Sequence, residues 1–212
     1  MLAGFPSLIL RRMEIRERIL EAAAAVFAEV GFRGATTRRI ATEAEVNEVT
    51  LFRHFGSKER LLGEAIHAAN SKPPGSPLPD RPTKPRSELV AWAREQMVRL
   101  RVNRSLIRTC MAEVAERPGM VARPGGQTTM AATQLRTYLV QLKAHGFTTV
   151  RFDPATAAPM LLGALFADAM GRDVMPDMYP NDPDAAIRTY VDLFLRGLGV
   201  ATPSKRRAKE PV

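Results

Sequence analysis

The sequence predicts an all-α protein of about nine helices: a three-helix head at the N-terminus, followed by a longer helical domain. Three observations carry this. Apolar residues recur at the three-to-four spacing of a single helix face along most of the chain, and the strict alternation of strands is absent. Small polar residues and Asp-Pro pairs stand where helices would begin. Six prolines in residues 71–86 break the pattern once, each fixing φ and removing a backbone donor, so no helix crosses them.

Ile15, Ile19, Ala23, Val26, Phe27 and Val30 place the first helix, with Gly31 where it should stop and residues 1–13 as an arm before it. Thr36 can cap a short second helix that turns Ile40, Ala41 and Ala44 inward, and Asn47 can cap a third that runs through Phe55. Ser57 caps a fourth, from Lys58 to about Asn70. The head therefore covers 14–70, and 71–86 is a proline-rich linker. Beyond it, Ser87 is placed to cap a helix through Val102, and Ser105 another that stops before Pro118. A further amphipathic helix, about Gln127 to His145, ends at Gly146. Asp153-Pro154 and Asp182-Pro183 each set an N-cap before a proline at the first helical position, opening helices of about 155–171 and 184–198. Residues 87–200 form one effector-binding and dimerisation domain in this reading, and 201–212 a basic, disordered tail.

Composition narrows the function classes. At 212 residues, 45% hydrophobic and 25% charged, the chain can bury a core without staples. The lone Cys110 excludes an internal disulfide, and His54, His67 and His145 lack ligand-like spacing, so neither a metal nor another cofactor is expected. Arg11 and Arg12 follow the apolar start instead of preceding it, which is not the order of a signal peptide, and no apolar run is long enough to span a membrane; the cytoplasm is the expected compartment. The net charge of +9 suggests a polyanionic partner, yet residues 1–70 hold 10 basic against 9 acidic side chains, and the excess lies in the linker and the tail. Bulk charge therefore decides little, and a motif must carry the argument.

Helices two and three, joined by a few residues, have the dimensions of a helix-turn-helix, whose second member fits a DNA major groove. Leu51 and Phe55 lie one turn apart and point inward, leaving Asn47, Thr50 and His54 on a polar stripe flanked by Glu48 and Arg53. An ordinary solvated helix face is the alternative. The stretch Ile19-Leu-Glu-Ala-Ala, Phe27, Gly31-Phe32, Ala35-Thr-Thr-Arg-Arg-Ile-Ala41, Ala44, Val46, Thr50-Leu-Phe-Arg-His-Phe55, Ser57-Lys-Glu59 and Leu61-Leu62 resembles the DNA-binding head of the TetR family of bacterial transcriptional regulators. The resemblance covers about residues 14–66.

It implies an all-helical homodimer: two heads each reading half of a near-palindromic operator, and a C-terminal domain that binds a small inducer and releases the DNA. Residue by residue, it puts Thr37 on a phosphate and Arg38 on a base edge, where the guanidinium fork suits guanine. Asn47, Glu48, Thr50, Arg53 and His54 match groove-facing positions, and Lys58 matches a phosphate contact at the start of helix four. Three positions depart from the pattern. Glu45 replaces a usual glycine, at a cost of roughly 1 kcal/mol if the backbone there is left-handed. Phe52 replaces a tyrosine and so has only a packing role. Glu48 repels phosphates but can accept from cytosine N4.

For the inducer, Trp92, Met97, Cys110, Met111, Met160 and Phe166 are candidate apolar lining, with Arg108, Glu113, Gln134 and Tyr138 as polar contacts; core and surface roles are the alternatives. Cys110 reads as a buried thiol. Gly163, Ala167 and Gly171, four residues apart, make a smooth strip that lets another helix approach, so the last two long helices are the expected dimer surface. A constitutive architectural DNA binder is the competing function, and the near-neutral head argues against it. An enzyme built from Asp168, Asp173, Glu113 and the histidines lacks a nucleophile elbow, phosphate loop or metal-ligand spacing, so no catalytic residue is assigned.

Overall fold

A computed structural model of the protein describes residues 5–70, 76–117 and 127–200. Within them there are nine α-helices, one 3-10 turn and no strand: α1 Phe5–Gly34, α2 Thr37–Glu43, α3 Glu48–Phe55, α4 Lys58–Asn70, α5 Pro85–Val102, α6 Arg104–Glu113, α7 Gln127–Ala144, α8 Pro154–Gly171 and α9 Pro183–Gly197. The 3-10 turn, Pro176–Met178, lies between α8 and α9. The tail 201–212 and the linker's residues 71–75 lie outside the described residues.

Two compact units form, each with its own core. In the first are the described residues up to 70 together with 102–117 and 127–129; in the second are 76–101 and 130–200. The first core takes Ile19, Ala23, Val26 and Phe27 from α1, Ile40 and Ala44 at α2, Leu51 and Phe55 from α3, Leu61, Leu62 and Ile66 from α4, and Leu106 and Cys110 from α6. The helix faces read from the sequence are the faces buried. The partition is not the one expected, because α6 was assigned to the C-terminal domain and here completes the core of the head. Its periodicity shows that Leu106 and Cys110 share a face, but not which core that face joins.

Three helix starts also differ from expectation. Residues 5–13 are helical and not a separate arm: Pro6 sits in the first turn, where its missing N–H costs nothing, and neither glycine nor proline follows before Gly31. In α5 the start is Pro85, not Ser87. Glu88 reaches back so that its Oε1 accepts the backbone N–H groups of Thr83 at 3.0 Å and Lys84 at 2.7 Å, while Ser87 Oγ donates to the Lys84 carbonyl from inside the first turn. The N-cap of α6 is Asn103, without a side-chain bond, and Ser105 lies within that helix. The other caps are as read. Thr36 Oγ1 accepts from Arg39 N–H at 3.2 Å, Ser57 Oγ from Arg60 N–H at 3.2 Å, Asp153 Oδ1 from Ala155 N–H at 3.0 Å and Asp182 Oδ1 from Asp184 N–H at 2.8 Å.

In the second unit α5 carries Leu89, Trp92, Ala93 and Met97 into a core with Leu135, Tyr138, Leu139 and Leu142 of α7, Leu161 and Leu165 of α8, and Ile187, Val191 and Leu195 of α9. Bidentate pairs Arg86–Asp192 and Arg94–Asp184, each eight residues apart on its helix, set the antiparallel register of α5 against α9. Gly163 and Ala167 of the expected strip are exposed, and a Cβ added at Gly163 would meet open space. Gly171 is not part of that exposed strip. It is buried under Tyr179, whose hydroxyl donates to the Ala167 carbonyl at 2.8 Å, so its missing side chain serves the chain's own loop.

Among the described residues one charge is fully buried. The Asp168 carboxylate, 0% exposed, receives the Arg172 guanidinium on both oxygens, the Tyr190 hydroxyl at 2.9 Å and Arg101 at 3.3 Å, tying α5, α8 and α9 together. Burial pushes its pKa up, but the bonds from Arg172 and Tyr190 and the charges of Arg172 and Arg101 outweigh this and hold it below the usual aspartate value. The same site pushes the Tyr190 phenol up to about 12, through burial first and then the Asp168 carboxylate.

A carboxyl with a depressed folded-state pKa contributes stability above its unfolded pKa and loses it as pH falls through the folded value. Asp168→Asn is therefore expected to cost about 1 to 3 kcal/mol at pH 7, because it removes the charge that the partly exposed Arg172 and Arg101 guanidinium groups face and weakens their hydrogen bonds. The gap to the native protein should begin to narrow as pH falls below about 4, where the carboxyl of the unfolded chain takes a proton, and close as pH falls through the lower folded value. Urea midpoints at pH 7 and pH 3 check both; an equal gap at the two values would remove the ionic account.

Candidate nucleic-acid interface

The geometry starts with the end of α2. The backbone N–H of Val46 donates to the Ala41 carbonyl at 2.9 Å and that of Glu45 to Thr42 at 3.1 Å, the paired bonds of a Schellman turn, and Glu45 takes the left-handed conformation with φ 52°. A glycine would adopt this without strain; glutamate does so at roughly 1 kcal/mol. Arg18 from α1 offsets part of it, since its Nη2 donates to the Ala44 carbonyl at 2.7 Å and to that of Glu45 at 3.3 Å. Asn47 then opens α3 with its Oδ1 accepting the Val49 N–H at 2.9 Å. Leu51 and Phe55, at 0% and 1% exposure, anchor α3 to the core and fix which face looks outward.

On that outward face Asn47 and Arg53 are exposed and Thr50 and His54 half-buried; Arg38 is exposed at the start of α2. Arg38 and Arg53 form no ion pair among the described residues, whereas the neighbouring Arg39 is held by Glu29 at 2.7 Å. Thr37 and Glu48, assigned separately from the sequence, are partners: the Thr37 hydroxyl donates to the Glu48 carboxylate across the α2–α3 turn. One acceptor oxygen of Glu48 is thus engaged within the protein, and the carboxylate acts first as a brace between the two helices.

Two residues of this face were not read as contacts. Val49 is 72% exposed and Phe52 45%, which sets aside a purely packing role for Phe52. An apolar residue two positions before the buried Leu51, and so off its face of the helix, was the available signal at Val49, and both side chains have the apolar surface to meet thymine methyl groups.

Lys58, at the start of α4, lies with Nζ 4.4 Å from the centroid of the Phe32 ring, and Arg117 packs at 4.3 Å from the same centroid. Partial burial, then the Arg117 charge, lowers the Lys58 pKa against the opposing pull of Glu59 and Glu113. The ring is placed by Gly31, whose φ of 68° ends the long part of α1 and leaves the Phe32 N–H free of helical bonding. Glu113 of α6 accepts that N–H on Oε1 at 2.9 Å and takes Arg117 on its other oxygen. The backbone bond from Phe32 is the first cause holding the Glu113 carboxyl below its ordinary range. Thr109 Oγ1 adds a bond to the Ala28 carbonyl at 3.0 Å. Glu113, expected as an inducer contact, is instead a latch of the head.

The expected inducer lining is divided in the same way. Arg108, Cys110 and Met111 lie on α6 in the first unit, with Met111 59% exposed. Burial, then the Glu113 charge, pushes the Cys110 thiol up to about 11, so it is inert at neutral pH. Met160 is 67% exposed on α8 and Phe166 half-buried. Only Trp92, Met97, Gln134 and Tyr138 come together, in the α5–α7 core of the second unit. Among the described residues no helix is long and apolar enough to cross a membrane, and no group of His, Cys, Asp and Glu could hold a metal.

Comparison with known proteins places this head. A family model described as bacterial regulatory proteins, tetR family, matches residues 19–65. The HTH-type transcriptional repressor Rv3405c of Mycobacterium tuberculosis is 39% identical over 61 residues, 29% of this chain and 32% of that protein. The HTH-type transcriptional repressor KstR2 of the same species is 45% identical over 51 residues, 24% and 26% of the two chains. The chain thus matches about a third of the length of these relatives or less. The crystal structure of a TetR transcriptional regulator from Agrobacterium tumefaciens shares the fold at TM-score 0.71 and 19% identity, covering 88% of this chain and 94% of that one. The family match and the helix-turn-helix geometry fall on the same residues, so the segment 19–65 is similar to the DNA-binding head of the tetR family of bacterial regulatory proteins.

Proposed function

We propose that this protein is a dimeric repressor of transcription that reads a near-palindromic operator and is released from it by a small molecule bound in its second unit. The observation that supports it best is the outward face of α2 and α3. Arg38 and Arg53 present uncommitted guanidinium groups, Val49 and Phe52 present apolar surface, and Asn47 and Thr50 stand between them. Such a mixture reads base edges in a major groove, where a purely electrostatic binder would carry a surplus of positive charge. Rv3405c and KstR2 are named repressors, and their likeness covers 29% and 24% of this chain.

Within this reading Arg38 contacts a guanine edge, and Thr37, whose one hydroxyl proton is committed to Glu48, meets a phosphate through its backbone N–H at the start of α2. Asn47, Thr50, Arg53 and His54 face the groove. Lys58 adds a phosphate contact beside the amino terminus of α4. Arg38→Ala is expected to weaken operator binding by about 1 to 3 kcal/mol and to relax preference at one base pair, whereas Lys58→Ala should weaken all sequences alike and lower the salt slope by about one. Fluorescence anisotropy on operator and scrambled duplexes across a salt series separates the two. Native protein that binds both duplexes equally, with a steep salt dependence, would be an architectural binder instead.

A single reading head covers too few base pairs for a usable site, so the reading needs a dimer. The exposed face of α8 and α9 offers one: Met160 and Leu193 are 67% and 61% exposed, and Gly163 leaves open space for an approaching helix. Sedimentation at micromolar concentration is expected to give twice 23.4 kDa, and Gly163→Trp should shift the protein to monomer and abolish operator binding while leaving the fold intact. In the DNA-bound dimer the two α3 helices should stand about 34 to 36 Å apart, one turn of DNA. For release, the first helix and the linker are one route, and α6 is another, since it follows α5 directly in the chain and latches Phe32 of the head.

A further inference from the structure

Two hydrogen-bonded rungs join α5 to α7. The Tyr138 hydroxyl donates to Glu88 Oε2 at 2.5 Å, and Trp92 Nε1 donates to Gln134 Oε1 at 3.2 Å. Each step is one helical turn, from 88 to 92 on α5 and from 138 to 134 on the antiparallel α7. Helical spacing puts Gln96 on the next turn of α5 and Met130 and Ala131 on the next turn of α7. Alanine has no polar side-chain atom and methionine only a weakly accepting sulfur. Gln96 is 6% exposed, and its Nε2 finds no acceptor among the described residues.

A buried amide left in this state forfeits its hydration with nothing in return, and an apolar side chain of the same size would avoid the loss. The position is flanked by Trp92 at 2% exposure and Met97 at 0%, an aromatic wall and an adaptable one. No unopposed positive charge adjoins it on α5, because the Arg99 guanidinium faces Glu95 at 3.6 Å. A neutral amide beside an ion pair whose charges already oppose each other selects a neutral acceptor.

We infer that Gln96 is the polar anchor of the small-molecule site, and that the ligand is an uncharged, largely apolar compound whose carbonyl oxygen accepts from Gln96 Nε2. This rests on the reading that the second unit takes an effector, and it names the chemistry of that effector. Trp92 and Met97 pack against the body of the ligand, and the carbonyl completes the third rung.

The test uses full-length, nitrogen-15-labelled protein titrated with cyclohexanone and with methylenecyclohexane, which differ in C=O against C=CH2 and little in shape. Trp92 is the one tryptophan of the chain, so its indole resonance reports the second rung alone, and the Gln96 carboxamide reports the third. The native protein is expected to bind the ketone about fivefold more tightly, the worth of one neutral hydrogen bond. Gln96→Leu and Gln96→Met should bind both probes equally and melt at a higher temperature than the native protein. Equal affinities in the native protein, a ketone preference that survives in both variants, or variants that both melt lower would overturn the proposal; the last is the outcome if a buried water satisfies Gln96. No DNA is present, so failure of the operator reading leaves these results standing, and ketone selectivity that leaves operator affinity unchanged counts against the regulator reading alone.

Discussion

The head depends on where its first helix stops. α2, α4 and α6 all pack on α1, so a helix that ran one turn too far would carry Phe32 and the chain after it away from every partner. Gly31 prevents this by taking φ 68°, a conformation that costs an ordinary side chain roughly 1 to 2 kcal/mol. The break leaves one backbone donor, the Phe32 N–H, without a helical acceptor, and Glu113 from α6 supplies it. A Cβ at position 31 would stand 3.0 Å from that same carboxylate oxygen, so backbone conformation and the space Glu113 needs both call for glycine. Phe32 is then fixed as a surface on which Lys58 and Arg117 rest, and the amino terminus of α4 is fixed with it.

The same economy governs the reading face. A near-neutral head cannot hold DNA by bulk attraction, so the positions of a few side chains decide what it can do. Several charges are spent inside the protein. Arg18 satisfies the strained α2–α3 turn, Arg39 pairs with Glu29, and Glu48 braces Thr37. What remains presented outward, Arg38 and Arg53 with Val49 and Phe52, is a small set suited to recognition of base edges.

In the second unit polar groups set register and apolar area supplies the driving force. Asp168 joins three helices through one carboxylate, the two Arg–Asp pairs align α5 with α9, and the rungs at Glu88 and Trp92 align α5 with α7. A buried ionic group such as Asp168 contributes little net stability compared with an apolar replacement, but a shifted packing that separates it from its partners is penalised, whereas the exposed Arg–Asp pairs add only a weak preference. α5 thereby has one permitted position relative to both neighbours.

The sequence by itself determined the helices, most of their ends and the inward face of each, because periodicity and capping are local: Leu51 and Phe55 are buried as their spacing requires, and Asp153 and Asp182 cap as their prolines imply. It also located the reading head, because there the order of many residues is itself the signal. Only the tertiary structure decided what depends on partners distant in the chain. Glu113 and Phe32 are 81 residues apart, and no local pattern shows that one caps the other or that α6 belongs with the head. The short bond between Thr37 and Glu48, the enclosure of Gly171 under Tyr179, and the start of α5 at Pro85, where Glu88 captures two amides, were equally invisible. A helix face read from one sequence says which side chains turn away from water, and the identity of what they meet is fixed when the whole chain packs.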